Sequence, residues 1–342
     1  MAKFGRAKIT DVAREAGVST ATVDRVLNRR IGVRAETSER VWSVVARMNA
    51  GKSSKSPIHF VHSEKSLDFL VPAGAGPSVE ENLLGAVVEA CRIRNVSIKF
   101  REIDRFDPER LADHIKLAVD DGSDGIALQA LEHPSVKWAV DHAVKAGVPV
   151  LTIQSDLSGS KRMGFVGIDN RAAGRSAGYL IGRFLGDRKG KVAIVAGSHL
   201  YNSHDDREIG FRRVCREDFS DLEILDLVLG NDDSEDNYVK ISELLDRNPD
   251  IVGIYNIGSG NRGIVKALHE RGIEKQVVFI CHHLTSSSRP NLLNGTIDAV
   301  IHQDMRKLAD LVISKLLSEQ DQIASEATIM PFEIILRENI FE

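Results

Sequence analysis

This sequence predicts an all-α helix-turn-helix headpiece followed by a two-lobed α/β body, each lobe a doubly wound parallel sheet. Three observations predict it. Residues 9–28, ITDVAREAGVSTATVDRVLN, read as two short helices joined by a tight turn. From Leu67 onward, short β-rich runs alternate with helical patterns, the sign of parallel strands joined by right-handed crossovers. Charge is segregated: the first 56 residues hold 12 Lys/Arg and 5 Asp/Glu, net +7, and the rest holds 33 and 44, net −11. A basic head on an acidic body is the electrostatic footprint of a nucleic-acid binder that presents one end.

In the first helix Ile9, Val12, Ala13 and Ala16 recur at helical spacing and form one apolar face. Gly17 ends the helix, because glycine takes a left-handed conformation without strain, and Val18 points back at the same face. Ser19 is a good N-cap for the second helix, whose Val23, Val26 and Leu27 face the first. A third helix, from about Ala35 to Met48, presents Val41, Val44, Val45 and Met48 with Trp42 at its edge. Two helices joined this way lay the second in the DNA major groove. Small Thr20 and Ala21 let the backbone approach base edges, and Arg25, one turn on, reaches for a bidentate contact to guanine. Arg6, Lys8, Arg29, Arg30 and Arg34 suit phosphates. The DNA-facing set is Ser19, Thr20, Ala21, Thr22, Arg25, Asn28 and Arg29. A plain helical hairpin is the alternative, and the basic flanks weigh against it.

The residues Asp11-Val12-Ala13, Ala16-Gly17-Val18-Ser19, Thr22-Val23, Arg25-Val26-Leu27-Asn28, Val33, Thr37 and Arg40-Val41 form a long, specific run. In them the chain resembles the lactose/galactose repressor (LacI/GalR) family of bacterial transcription regulators, and weaker motifs continue the resemblance downstream. The resemblance implies a homodimer on a near-palindromic operator, usually as a repressor, with an effector domain similar to type I periplasmic sugar-binding proteins. In the family a short hinge helix follows the headpiece and wedges an apolar residue into the minor groove. Residues 49–66 lack its usual Ala-Arg-Ser-Leu type pattern; Gly51, the lysine-serine steps and Pro57 read as linker. Ile58, Phe60 or Val61 could supply a wedge, or equally a first strand or a packing plug. The domains are then a headpiece at 1–56, a linker at 57–66 and an effector-binding domain at 67–342.

Within that domain strands read at 67–71, 96–103, 124–129, 148–153, 191–196, 223–228, 251–255 and 277–281. Helices read at about 78–94, 107–121, 135–146, 171–186, 204–217, 234–247, 260–271 and 304–319. The strands split four and four at Val166-Gly167-Ile168-Asp169. The resemblance implies crossings near 168–170, 301–304 and 329–332. Lobe 1 is then about 67–168 and 304–329, lobe 2 about 170–301 and 330–340. Met330 to Leu336 would be a closing strand of the second lobe.

Ligands of open α/β sheets lie outside the carboxyl ends of the strands. The residues just after each strand are therefore the effector-binding candidates. Ser78, after strand one, either offers a hydroxyl or caps its helix. Gln154, Ser155 and Asp156 suit sugar hydroxyls. Asn170 stands in Asp169-Asn170-Arg171 at the crossover, where one of the three caps the helix. Arg207 matches an arginine that the family places three residues before Gly-Phe and forks onto ligand oxygens. Asn256, His283 and Gln303 complete the set, Gln303 at a family ligand position. His282 and His283 are adjacent in an extended segment, so one of them reaches the cleft. Where Gln154 and Gly258 stand, the family often has carboxylates. Their loss beside Arg207 favours an anionic effector, a sugar acid or sugar phosphate, over a neutral sugar or polyol.

One motif supports a rival. Gly258, Gly260 and Gly263 satisfy GxGxxG between a strand and a helix, the fingerprint of an NAD(P)-dependent enzyme carrying an appended DNA-binding head. Against it, the motif comes late, and the next strand ends in Cys281-His282-His283 with no acidic residue for a ribose. Cys91, Cys215 and Cys281 form no CxxC pair, so neither zinc nor a disulfide framework is expected. No catalytic arrangement stands out, and no enzyme activity, metal or cofactor is expected. The N-terminus lacks an apolar signal segment and no run approaches membrane-spanning length, which predicts a cytoplasmic protein. The sequence thus predicts a DNA-binding regulator, a repressor, controlled by a small carbohydrate-like effector bound between two lobes.

Overall fold

The structure, a computed structural model, describes residues 9–27, 32–50, 64–72, 77–103, 106–318 and 327–340. The headpiece holds α1 (Ile9–Ala16), α2 (Thr20–Leu27) and α3 (Ala35–Ala50). Val12, Ala13, Ala16, Val23, Val26, Val41, Val44 and Val45 are buried together with Trp42. Trp42 is thus a core residue, not the edge residue its place in the helical pattern suggests. So small a bundle has few positions to bury, and its one large aromatic fills the centre.

The body begins with β1 (Ser66–Pro72), α4 (Pro77–Ile93), β2 (Ser97–Ile103), α5 (Pro108–Asp120), β3 (Gly125–Leu128), α6 (Pro134–Lys145), β4 (Val150–Ile153) and β5 (Gly164–Ile168). Then come α7 (Asn170–Leu185), β6 (Gly190–Ala196), α8 (Asn202–Asp218), β7 (Leu222–Leu229), α9 (Ser234–Arg247), β8 (Ile251–Asn256), α10 (Asn261–Arg271) and β9 (Val278–His282). The chain closes with α11 (Ser288–Leu293), β10 (Ala299–His302), α12 (Met305–Leu317), β11 (Ala327–Met330) and β12 (Glu333–Ile335).

Two compact units result, one built on residues 79–167 and 304–328 with the headpiece, the other on 168–303 and 329–342. The first sheet runs β11-β5-β4-β3-β1-β2 and the second β12-β10-β9-β8-β6-β7. Pairing is parallel from β2 through β5 and from β7 through β10, and β12 joins β10 antiparallel. Each sheet therefore has strands beyond the four expected. Residues 164–168 and 299–302 are strands, not bare crossings, and α11 was not foreseen. These strands are short apolar runs, the first interrupted by glycine, and such runs carry little periodicity. Met330 ends a strand of the first sheet, and Glu333–Ile335 alone supplies the expected closing strand of the second.

Strand alternation distributes the core of the second unit over both faces of its sheet. Val192 and Ile194 pack with Ala173, Ala177, Ile181 and Phe211 of α7 and α8. Ala193 and Val195 pack with Ile241, Leu245, Ile264 and Leu268 of α9 and α10. In the first unit a buried ion pair lies within the sheet: Arg101 Nε is 2.5 Å from Asp68 Oδ1, and its Nη2 is 2.7 Å from Asp121 Oδ2. Burial raises the Asp68 pKa against the pull of Arg101. The cysteines are free and buried, and burial pushes the Cys91 and Cys215 thiols up to about 12.

The contact that sets the second unit is α7 against α8. A Cβ on Gly174 would lie 1.9 Å from the carbonyl oxygen of Arg207, and one on Gly210 2.2 Å from that of Arg171. Backbone meets backbone, so no side-chain rotation can relieve an added methyl. Gly174→Ala should therefore push the helices apart and destabilise the unit by about 1–3 kcal/mol. Urea unfolding of the full chain followed by circular dichroism measures this; an unshifted transition would show the contact to be slack.

Candidate functional site

In the headpiece the turn forms as its residues dictate. Gly17 takes φ +62°, its N–H bonds the Arg14 carbonyl at 3.3 Å, and the Val18 N–H bonds that of Ala13 at 3.0 Å. This closes α1 with a glycine C-cap. Ser19 Oγ accepts the Thr22 N–H at 3.0 Å and lies 2.9 Å from Thr22 Oγ1. Both hydroxyls thus serve the N-cap of α2. Thr20, Ala21 and Arg25 are exposed, leaving one small-residue patch and one guanidinium on the open face of α2. Asn28, Arg29 and the linker with Ile58, Phe60 and Val61 lie outside the described residues.

In the second unit the carboxyl ends of the strands collect polar side chains. Arg207 projects from α8 and is 5% exposed, buried deeply enough that its charge must be met by polar partners. Its Nε donates to Asn170 Oδ1 at 2.8 Å and its Nη1 to the Ile257 carbonyl at 2.9 Å. No carboxylate stands within ion-pairing distance of it among the described residues, and burial lowers its pKa. Asp169 caps α7 through the Ala172 N–H at 2.9 Å, and Arg171 pairs with Asp206 at the surface. Of the three crossover residues, Asn170 alone turns to Arg207. Tyr255 stacks on Phe211, and its hydroxyl lies 2.7 Å from His282 Nε2. Asn256 is buried; its Nδ2 donates to Ser259 O and Asn261 Oδ1 at 2.9 and 2.7 Å, while its Oδ1 has no partner among the described residues. Gln303 is also buried, its Oε1 without a partner among the described residues.

Two expectations change here. His283 takes φ +64°, which breaks the alternation of an extended chain, so the His282 and His283 rings are neighbours with centroids 6.1 Å apart. Both feel the charge of Arg207. The second concerns the missing carboxylate at Gly258. Asp232, held at φ +52° after β7, places its carboxylate where side chains at Gly197 and Gly258 would be, 2.3 and 2.1 Å from their ideal Cβ positions. Its Oδ1 accepts the Ser259 N–H at 2.7 Å. A neighbouring strand end thus supplies the carboxylate that position 258 lacks. Sequence reading missed Asp232, whose acidic run resembles ordinary helix capping.

In the first unit Gln154 is buried at φ +58°, its Nε2 3.9 Å from Met305 Sδ, and Ser155 is buried beside it. Asp156 is held within the fold. Arg162 grips both its oxygens, and Thr152 Oγ1 and the Leu157 N–H donate to Oδ1 at 2.6 and 2.8 Å. Ser78 lies in the first turn of α4, and its side chain is outside the described residues.

Comparison with known proteins agrees with both parts. Residues 8–49 match the model of bacterial regulatory proteins of the lacI family, and 69–320 match that of a periplasmic binding protein domain. The chain belongs to the lacI family of bacterial regulatory proteins. An HTH-type transcriptional repressor PurR from Glaesserella parasuis serovar 5 (strain SH0165) is 27% identical over 92% of this chain and 91% of its own. A second PurR, from Actinobacillus pleuropneumoniae serotype 3 (strain JL03), is 23% identical over 98% of both. The body has the fold of a Burkholderia graminis C4D1M solute-binding protein in complex with D-arabinose. That structure has a TM-score of 0.73 and 18% identity, and the match covers 81% of this chain and 96% of it. The glucose-galactose binding protein GanP of Geobacillus stearothermophilus gives 0.72 and 20%, over 81% and 99%.

This lacI-family chain is thus a DNA-binding transcription regulator with a binding-protein body. Its late GxGxxG has a structural role. Added Cβ atoms would strike Asp232 at Gly258, Asn237 and the Asp233 carbonyl at Gly260, and the Ser234 carbonyl at Gly263. The space that glycines would open to a pyrophosphate is filled by the protein itself. No three His, Cys, Asp or Glu side chains converge to hold a metal among the described residues. No helix among them is long and apolar enough to cross a membrane.

The histidines set a pH dependence. Burial, then neighbouring Arg207, pushes His283 down to about 3 and His282 well below its ordinary value; burial also lowers His204. In the unfolded chain each titrates near 6.5, so below that pH the unfolded state binds more protons. Their contribution to stability is complete above pH 6.5 and fades as pH falls, for His283 toward about 3. Urea midpoints of the full chain should drop from pH 7 to pH 5, and His283→Gln should flatten the drop. Equal slopes for the two proteins would show that His283 titrates normally.

Proposed function

We propose that this chain is a homodimeric repressor that reads an operator with the exposed face of α2. Its operator affinity is set by a small polar effector held at the strand ends of the second unit. The observation that carries the effector reading is Arg207: a buried guanidinium with two neutral partners, no paired carboxylate among the described residues, and donors left over. Burying a charge in that way is costly unless polar partners complete its shell. Asn170, Asn256, His283 and Gln303 are the supporting polar groups, and Asp232 joins them. Gln154, Ser155 and Ser78 remain effector candidates of the first unit. The second sheet's topology supports the placement, since ligands of open parallel sheets sit beyond the carboxyl ends of the strands.

Regulation then follows from linkage. An effector shifts the regulator between conformations by as much as its affinity differs between them. Two headpieces bound to two half-sites turn that shift into a change of operator affinity, because both must fit at once. The family resemblance supports repression on a near-palindromic site, in the cytoplasm where the DNA is.

Selection of operator fragments from random DNA, followed by titration, tests the DNA part. Arg25→Ala should relax preference at one base pair by about 1–3 kcal/mol and leave random-sequence affinity nearly unchanged. Equal losses on operator and random DNA would place Arg25 on phosphate instead. For the effector part, Arg207→Gln should bind the operator normally and lose the response to effector. A variant that keeps the full response would reject Arg207 as a contact.

A further inference from the structure

The second unit contains polar atoms that its own fold leaves unused, and they lie together. Arg207 Nη1 is bound to the Ile257 carbonyl at the end of β8, and β8 pairs with β9 through Asn256 and Cys281. His282 ends β9 and pairs with Ile301 of β10; the His283 N–H bonds the Ile301 carbonyl at 2.9 Å. Gln303 follows two residues later on the same strand end. His282 Nδ1, His283 Nδ1 and Gln303 Oε1 are buried without partners, and Arg207 Nη2 makes no hydrogen bond among the described residues.

The protonation of His282 follows from its one partner. If the Tyr255 hydroxyl donates to Nε2, the ring carries its proton on Nδ1, and one orphan donor remains. If instead Nε2–H donates to the phenol oxygen, the phenol proton and the Nδ1 lone pair are both stranded in the core. The first arrangement leaves fewer buried polar groups unmet, so His282 presents Nδ1–H.

One fixed charge, the Arg207 guanidinium, acts on both rings, while the neighbouring His283 and His204 imidazoles are themselves held neutral by burial. No carboxylate among the described residues acts on either ring. Of the other titratable groups nearby, Tyr255 and Cys281 are held neutral by burial. Asp205 and Asp232 act on His204, and Asp232 on Arg207. Asp232 sits at the β6–β7–β8 side, fixed by the Ser259 N–H in its glycine cradle.

We propose that the ligand of this site carries an anionic group, a carboxylate or a phosphoryl group, gripped by Arg207 Nη2 and His282 Nδ1–H. Gln303 Oε1 and the Asp232 carboxylate accept from hydroxyls of the same molecule. The proposal rests on the effector reading above and narrows it to one ligand chemistry. It no longer depends on two lost carboxylates, since Asp232 replaces one of them; it depends on a guanidinium with an unused Nη2 beside ring nitrogens that have no partner among the described residues. Charge-assisted donors of this kind discriminate strongly between an anion and a neutral hydroxyl.

The test is calorimetric titration of the full-length protein with matched sets: D-glucose, D-galactose, L-arabinose and D-ribose, their aldonates and uronates, and their phosphates. At least one anion should bind tenfold or more tighter than its neutral parent. The carboxylate and phosphate arms show which group is read. Arg207→Gln should abolish the preference. Asp232→Asn should tighten the anion severalfold and weaken any neutral sugar, an opposite pair of changes that misfolding cannot produce. If Arg207→Gln unfolds, Arg207→Lys, which keeps the charge but not the fork, should retain part of the preference. Neutral sugars binding as tightly as their anions, with Arg207 still required, would overturn this proposal and leave the effector site standing. Binding by none of the anions would also overturn it, and binding indifferent to Arg207 would overturn the site as well.

Discussion

The second unit depends on how a guanidinium is kept in its interior. Arg207 is buried with neutral partners, and each partner comes from a different element: Asn170 from α7, the Ile257 carbonyl from the end of β8. This works because α7 and α8 touch backbone to backbone at Gly174 and Gly210. The Arg207 carbonyl rests where a Gly174 side chain would be, so the start of the arginine side chain is fixed by main-chain packing. Two hydrogen bonds then fix its other end. A side chain that normally loses much rotamer entropy on ordering is ordered by the fold before any ligand arrives, and preorganisation of that kind lowers the cost of binding.

Asp232 shows the same economy in a different form. A carboxylate could reach the site from β8 by a side chain at position 258. Here it reaches the site from the end of the edge strand β7, and glycines just past the ends of β6 and β8 make room. The late glycine motif is therefore the imprint of an acidic side chain elsewhere. The left-handed backbone at Asp232 costs on the order of 1 kcal/mol, and Asp tolerates that region better than most residues. The Ser259 N–H offsets it with a charge-assisted hydrogen bond.

Much of this was legible in the sequence, and what was not has identifiable causes. The helix-turn-helix and the alternation of long helices with apolar strands are local patterns, and the folded chain follows them closely. Arg207 was visible because it stands three residues before Gly210-Phe211, where the family resemblance implies a ligand arginine. Asn170 was visible as part of a crossover, although sequence could not say which of three neighbours would cap the helix. Asp232 was hidden because its role depends on φ +52° and on glycines just past two other strands, none of them near it in sequence. The pairing of His282 with His283 was misjudged because one left-handed residue cancels the period-2 rule. Asp156 looked available because its partner, Arg162, lies further along an irregular segment where no periodicity tells which side chains meet.

These features bear on how a binding event can reach the DNA. A tenfold change in operator occupancy needs about 1.4 kcal/mol of difference in effector affinity between two conformations. One hydrogen bond to a charged group contributes about 1.5–3 kcal/mol, so a single contact made in one conformation and lost in the other is enough. A neutral, well-hydrated hydroxyl is a poor lever, since water replaces it at little cost. A guanidinium already fixed by two neutral partners is a better one, because a charge-assisted contact to its unused donor is stronger than a contact between neutral groups. The arrangement that keeps Arg207 rigid and out of any direct ion pair among the described residues would therefore also make effector binding sensitive to conformation.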